Sequence, residues 1–527
     1  MRRLALCLCL ISCLSAARGQ SFEETLGLQT ARIGLQEVIQ RVLKKSLDVR
    51  IEWLNWAVAD EQTRAAWGEF EPAYYLSSSY RESQLPQNAL EYVQTGGSIV
   101  FLTEPNLFHQ QSLLSQTGIS GKLPIGTEYK IFVNSGEFRN DINRQRPPAV
   151  FYPEYAVASG ITFTQPLLRD FGTGVQLAEV RVSRRNRAVA DYQWELQLQQ
   201  VLARVIVDYF DLIFAVENIA VKRDVVAFAR TLVLENQKRL GVGVLSAVDV
   251  QEAEVAVSVA KEDVINALSF AVERQLNLKN QMLSDLEEGT GLIFLPADAL
   301  PTTAPAMDRT RLLRNALQRR PDYRAALEEA EKQAIIVKYM RNQLLPRLDL
   351  QATFTVNGLS GDYARASERA FERQGYDAQV GFQFTIPLGN RTARANSAAA
   401  EHRQQQAILG IARSELKIAM EIDTLIARVK ASKAKVESTR ESADLAEKLR
   451  ESEQKRGEQG LARSFDILKA QRELSEARTR HLAAQADYHK AAIQLALAEG
   501  TLLDRYGIRV DRGEGPPKAV KGSGKSP

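Results

Sequence analysis

From about Thr392 to about Arg456 the chain contains no proline and a single glycine, Gly410. At about 1.5 Å per residue, an uninterrupted helix of roughly 65 residues is a rod of roughly 100 Å. No ordinary globular core absorbs such a rod, so it must run beside other helices. A comparable proline-free run extends from about Val175 to Leu240. Each run is fed by a strand pattern. In "GFQFTIPLGNRTARANSAAAEHR" (381–403) alternating residues pass through Pro387 and Gly389 straight into alanine-rich, charged sequence. "GITFTQPLLRDFGTGVQLAEVRVSRR" (160–185) does nearly the same.

The helical runs carry heptads. Ile411, Ile418 and Leu425 recur every seven residues, with Ile422, Val429, Val436 and Ala443 as the companion series offset by four. That is the seam of a coiled coil. Near the C-terminus Ile467, Leu474, His481, Tyr488 and Leu495 form one heptad series. Ala470, Ala477, Ala484, Ala491 and Ala498 form another, a stripe that lets a neighbouring helix approach closely.

The strands alternate strictly. In "RLDLQATFTVN", Leu348, Leu350, Ala352, Phe354 and Val356 share one face, opposite Arg347, Asp349, Gln351, Thr353, Thr355 and Asn357. In "AQVGFQFTIP", Val380, Phe382, Phe384 and Ile386 alternate with Gln379, Gly381, Gln383 and Thr385. Ten-residue strands that are apolar on one side and polar on the other suit an outer-membrane barrel. An isolated strand of this kind equally suits a sheet packed on a soluble core, and the N-terminus decides between them. "MRRLALCLCLISCLSAARGQ" has a basic start at Arg2 and Arg3 and an apolar stretch too short to span a bilayer. Ala17-Arg18-Gly19 makes residues 1–19 a signal peptide cleaved before Gln20. All three cysteines, Cys7, Cys9 and Cys13, lie within it, so the mature chain has no thiol. Leu10-Ile11-Ser12-Cys13 also reads as a lipobox, which leaves lipidation at Cys13 as the alternative.

The exported sequence divides into two similar halves. Asp48 and Pro72 match Asp322 and Pro346 at one common spacing. The "FTQP" ending at Pro166 matches the "FTIP" ending at Pro387. "QKRLGVGVLSAVDVQEA" (237–253) matches "QKRGEQGLARSFDILKA" (454–470). The domain reading is a first repeat over 20–282, a connection over 283–310, a second repeat over 311–505 and a disordered basic tail over 506–527. Each repeat reads helix, strands, long helix, tip turn, helix, with tip turns near 241–249 and 457–466 and second-repeat strands near 347–357 and 379–387. The first repeat is longer between its strands, where an inserted hairpin lies somewhere within 80–158. "QTGISGKLPIGTEYKIFVNS" reads as strand-turn-strand through Ile119, Leu123, Tyr129, Ile131 and Val133. Those two strands either extend the barrel or form a loop beyond the membrane.

Four regular strands cannot close a barrel, and an open edge in lipid leaves backbone groups unpaired. The chain must therefore associate through its sheet, and three copies would supply about twelve strands. The expected fold class is mainly α with a membrane β part: a long α-helical coiled-coil barrel continued by a β-barrel built from the strands of three subunits, with an internal two-fold repeat.

These residues resemble the outer-membrane efflux proteins, the TolC family, over nearly all the mature length. The motifs that carry the likeness are "FTQPLL" and "FTIPLG", "LLPRLDLQATF", "GVLSAVDVQEAE" and "GLARSFDILKAQRELSEARTRHLAAQADYHKAAIQLALAEG". The resemblance implies a homotrimeric twelve-stranded barrel in outer-membrane lipid and a helical barrel crossing the periplasm. It implies a periplasmic adaptor and an inner-membrane pump as partners, and a passive exit duct for a tripartite efflux or type I secretion system. It also places the tip turns at the periplasmic gate, with Asp466 at the first of two acidic positions. The second position here is Lys469, so a double acidic ring is not reproduced. Arg463, Asp249, Gly243 and Gly460 complete the candidate gate, and Leu350, Phe354, Phe382 and Phe384 are the candidate lipid-facing residues. Read locally, Ser246 and Asp249 form a helix N-cap pair, and the two aspartates need do no more than neutralise helix N-termini.

Other signals are weak. "GSGKS" near the end is similar to a phosphate-binding loop but lacks its first glycine, where Ala519 stands, and no helix follows. His481 and His489 have no metal-ligand partners at suitable spacing. The net charge of +4 is small for 527 residues and gives no basis for a nucleic-acid partner. No catalytic constellation and no cofactor motif is present, so an enzyme is not expected. The reading from another class is a structural, lipid-anchored periplasmic coiled-coil protein, for which the alternating strands would have no use.

Overall fold

The computed structural model describes residues 29–87, 94–95, 98–99, 106–140, 150–243, 245–283, 292–300 and 307–508. The cysteines, the signal-peptide reading and most of the tail lie outside these residues. Contacts divide the chain into two compact units, one of Met1–Ala57, Ala190–Ala325 and Ile411–Pro527, the other of Val58–Val189 and Ala326–Gly410.

The first unit is helical apart from one small sheet. Strand β1 (Gln29–Ile33) leads into helix α1 (Leu35–Lys45), and helix α2 (Leu47–Ala65) follows. The two proline-free runs are helices: α3 spans Ala178–Gly241 and α8 spans Arg391–Glu458, 64 and 68 residues. Each is followed by a 36-residue helix, α4 (Ala247–Met282) and α9 (Ser464–Glu499). The core gathers Val38, Ile39, Val42 and Leu43 of α1 against Leu198, Leu202, Ile206, Tyr209 and Ile213 of α3.

The connection expected over 283–310 is more structured than its sequence implies. Strand β6 (Leu292–Pro296) pairs in parallel with β1, and Phe294 is buried in the core. Asp298 then accepts hydrogen bonds from the Leu35 amide at 2.7 Å and from the Tyr209 hydroxyl at 3.0 Å. Helix α5 (Arg309–Arg319) follows, capped by Asp308. The tail boundary at 506 also falls too early, because Ile508 is buried and Tyr506 packs on the same core.

The heptad series sort by burial as a coiled coil requires. Ile418, Ile422 and Val429 of α8 pack with Leu312 and Ala316 of α5 and with Tyr488 and Leu495 of α9. All five stripe alanines of α9 are buried. Helix α4, which packs against α9, carries its own buried series at the same period, Ala253, Ala260 and Ala267. Ala267 packs with Ala215 and Ile219 of α3, and small residues at such positions let helix axes lie close.

The second unit is built on a sheet. Helix α6 (Pro321–Asn342) runs into it from the first unit. Its strands are β2 (Ala73–Gln87), β3 (Asn106–Lys122), β4 (Glu128–Asn140), β5 (Glu154–Pro166), β7 (Arg347–Ser360) and β8 (Gly375–Thr385). The order is β8-β7-β5-β4-β3-β2, antiparallel throughout. The chain thus supplies six strands to one sheet, not the four that its clearest alternation indicates. The undercount has a physical cause. In β3, "NLFHQQSLLSQTGISGK", Leu113 and Leu114 are adjacent and point to opposite faces among serines and glutamines, which blurs the period. The turn between β3 and β4 is tight: Gly126, at φ 98°, donates its N–H to the Leu123 carbonyl at 2.8 Å.

The strand-to-helix joins are pinned by side chains. Asn342 Oδ1 accepts from the Asp170 amide at 2.8 Å just beyond β5, and Asn390 Nδ2 donates to the Leu344 carbonyl at 3.1 Å just beyond β8. Helix α7 (Tyr363–Phe371), between β7 and β8, packs Ala366 and Ala370 over Val157. It approaches so closely that a Cβ on Gly358 would run into the Ala366 carbonyl and the Ala370 nitrogen. No described helix is long and apolar enough to cross a membrane.

Candidate functional site

Residues directly opposite one another in a sheet point to the same side, so the register of the six strands defines two faces. One face carries Tyr74, Leu76 and Tyr80 of β2, Leu113 and Ile119 of β3, and Tyr129, Ile131 and Val133 of β4. It continues with Tyr155, Val157, Ile161 and Phe163 of β5 and Leu348, Leu350, Ala352, Phe354 and Val356 of β7. Tyr376, Val380, Phe382 and Phe384 of β8 complete it. Ser78, Ser115, Thr117, Ser135 and Ser159 interrupt it on β2 to β5, and the candidate residues Leu350, Phe354, Phe382 and Phe384 all fall on this side. Tyr74, Tyr376, Val380 and Phe382 are each about 70% exposed in the single chain, a cost that only another apolar surface or lipid removes.

The band has limits. From Tyr376 to Phe384 the strand climbs about 27 Å at about 3.4 Å per residue, or about 20 Å of height at a tilt near 40°. Beyond Tyr80 and Leu113 the same face turns polar: His109 and Gln111 bond Glu82 at 3.0 and 3.2 Å, and Arg139 pairs with Glu137 at 2.7 Å. Past Val157 it is covered by α7.

The opposite face is hollow and the more polar of the two, although Tyr75, Leu114, Phe132 and Phe138 also lie on it. A cavity of about 900 Å³ opens on it, lined in part by Ser77, Ser79, Gln116, Asn134, Gly136 and Asn357. Gln351, Thr353 and Gln383 lie on the same side; Gln351 bonds Gln383 at 3.1 Å and Thr353 bonds Thr162 at 3.2 Å.

The second candidate site is the pair of turns at the ends of α3 and α8. Gly243 and Gly460 take the left-handed conformation at φ 79° and 77°, which ends each helix without strain. The two following helices are capped differently. Ser246 and Asp249 form a full capping box, and hydrogen bonds from the Ser246 hydroxyl and backbone amide hold the Asp249 carboxyl below the usual carboxylate range. In the second turn only the backbone half is present, with the Arg463 amide donating to Asp466 at 3.3 Å. An arginine side chain has no acceptor to complete the pair. Arg463 instead lies near enough to Asp249 to lower its pKa further.

Two residues that sequence reasoning missed join these turns. Asn236 of α3, 2% exposed, donates from Nδ2 to Ser464 Oγ at 2.8 Å and to the Asp249 carbonyl at 3.2 Å. Arg239 donates to the Gly457 carbonyl at 2.9 Å. The available signal was position: Asn236 continues the buried Ala229, Leu232 seam, where a polar residue fixes register. On α9, Ile467 and Ala470 are buried, whereas Asp466 and Lys469 lie on the exposed side, one turn apart.

Long paired helices, tied tip turns and a two-faced open sheet define a mixed fold of helical rods and exposed antiparallel sheet. Residues 312–501 match the family model of the outer membrane efflux protein, so the chain carries a domain of that family, whose members are transport channels rather than enzymes. Among relatives, Protein CyaE of Bordetella pertussis is 26% identical over 339 residues, 63% of this chain and 69% of that protein. The outer membrane protein VceC of Vibrio cholerae superposes with a TM-score of 0.62 at 17% identity, covering 88% of this chain and 96% of VceC. The CmeC outer membrane channel of Campylobacter jejuni gives 0.60 at 16% identity over 89% and 86% of the two chains. At these identities the solved structures establish the fold.

Proposed function

We propose that this protein is a passive exit duct: a homotrimer whose sheets close a β-barrel in the outer membrane and whose helices form a periplasmic barrel. It would receive cargo from an inner-membrane pump through a periplasmic adaptor, in a tripartite efflux or type I secretion system. The observation that carries this reading is the single apolar face shared by all six strands of an open sheet. A soluble scaffold gains nothing from such a face, and a lipid-facing wall requires it. Exposed apolar residues at coiled-coil spacing on two helices support association with further copies: Val248, Val255 and Val259 on α4, and Leu409, Leu416 and Met420 on α8.

Under this reading the exported, mature chain sediments with the outer membrane and crosslinks as a trimer. A predominantly soluble monomer in the periplasmic fraction would overturn it and favour the scaffold. Mass spectrometry of the mature N-terminus distinguishes cleavage before Gln20 from a lipidated Cys13.

A further inference from the structure

We infer that the hairpin β3–β4 forms two staves of the barrel wall, so that a trimer of this chain encloses eighteen strands. The inference rests on the trimeric reading above and fixes what that trimer looks like. Three observations point to the added staves. First, the hairpin is interior to the sheet: β3 pairs with β2 from Ala73 to Gln87 and β4 pairs with β5 from Glu128 to Phe138. Second, its polarity is in phase with its neighbours. Leu113 and Ile119 of β3 and Tyr129, Ile131 and Val133 of β4 fall on the apolar face, while Gln116, Ser120, Lys130 and Asn134 fall on the hollow face together with Leu114, Phe132 and Phe138. A hairpin folded outside the membrane would be under no constraint to keep that phase. A slip of one residue against β5 would turn Ile131 and Tyr129 inward.

Third, the sheet remains open at both ends. Strands β2 and β8 each have only one hydrogen-bonded neighbour. They run in opposite directions, so β8 of one copy meets β2 of the next as an antiparallel pair, and an even number of strands per chain keeps the alternation around the ring. At about 4.8 Å between strands and a tilt near 40°, eighteen strands give a wall about 36 Å across between backbones, against about 24 Å for twelve. The extra staves therefore widen the bore by about half, and their inner face adds Gln110, Ser112, Gln116 and Asn134 to a polar lining.

The test is electron cryo-microscopy of the full-length protein in lipid nanodiscs, counting strands in the membrane section. Eighteen strands with β8 of one subunit against β2 of the next is the expected result. A twelve-stranded trimer with β2 beside β5 and the hairpin outside the wall would overturn the inference and leave the duct reading intact. Loss of the trimer itself would instead overturn the duct reading. An independent check uses paired cysteines, since residues 29–508 contain none. With Ser77→Cys and Gln116→Cys, a short bis-maleimide links β2 to β3 within one subunit of the assembled trimer. Single cysteines on β2 and β8 link only between subunits. Efficient linkage of β2 to β5 contradicts the eighteen-strand wall.

Discussion

Asn236 shows how one buried amide holds two distant turns. It donates to the start of α4 and to Ser464 at the start of α9. Asn236→Ala leaves the Ser464 hydroxyl and the Asp249 carbonyl without this donor, a cost of about 1–3 kcal/mol. Under the proposed duct reading the expected outcome is a tip that opens more readily, read as a raised resting conductance in planar bilayers at unchanged trimer yield. The exposed pair beside it sets charge. If Asp466 lines the constriction, Lys469→Ala raises cation selectivity and Asp466→Ala reverses it, both measured as reversal potentials. No shift for either means that Asp466 serves only its helix N-terminus. His489 gives a pH prediction. Buried between Phe210 and Tyr488, it is pushed down to about 4, by burial first and by Arg505 second. The unfolded chain takes up this proton near pH 6.5 and the folded chain only near 4, so stability is full above pH 6.5 and falls as pH drops towards 4. The loss reaches about 3 kcal/mol at the acid end of that window. His489→Gln should therefore show a flatter melting temperature between pH 7 and 4.5 than the wild type. At this scale the sequence was legible where partners are local, as for Ser246 and Asp249. It was silent on Asn236, whose partner Ser464 lies in the other half of the chain.

At the scale of elements, alternation was read fully where it is strict and only in part where it is diluted, since the inserted hairpin was recognised but its place in the sheet was left open. Strands β7 and β8 are unmistakable because Phe, Leu and Val alternate with Gln and Thr. Strands β3 and β4 emerge fully only through pairing, when each finds its phase from its neighbours. The faces make a direct prediction. Phe384 and Gln383 are adjacent, on opposite sides of one strand. Lysine on the lipid side of a membrane strand costs about 2–4 kcal/mol at midplane. Under the proposed duct reading Phe384→Lys should thus reduce assembled trimer in the outer membrane far more than Gln383→Lys, and equal losses would assign the alternation to another cause. The helices offer a packing test. Ala477 is 2% exposed within the buried alanine stripe of α9, and Ala477→Leu should cost about 1–3 kcal/mol by overpacking, seen as a lowered melting temperature. Leucine at the exposed position Arg480 should not.

At the scale of the whole molecule, the fold was legible because several weak signals agreed: long proline-free runs, heptads and two-faced strands. The strand count was not, because it depends on contacts between segments that are far apart in sequence. The open ends of the sheet have a consequence for the life of the chain before assembly. Among the described residues a single copy presents two unpaired strand edges beside a broad apolar face, the combination that drives strands of different molecules together indiscriminately. The serine run of β2, Ser77 to Ser79, and Asp377 on β8 make those edges less sticky without sealing them. Correct partners must arrive before wrong ones, so the yield of assembled protein depends on how fast copies of the chain meet compared with how fast stray edges pair. Overproduction should therefore raise aggregate faster than it raises assembled protein.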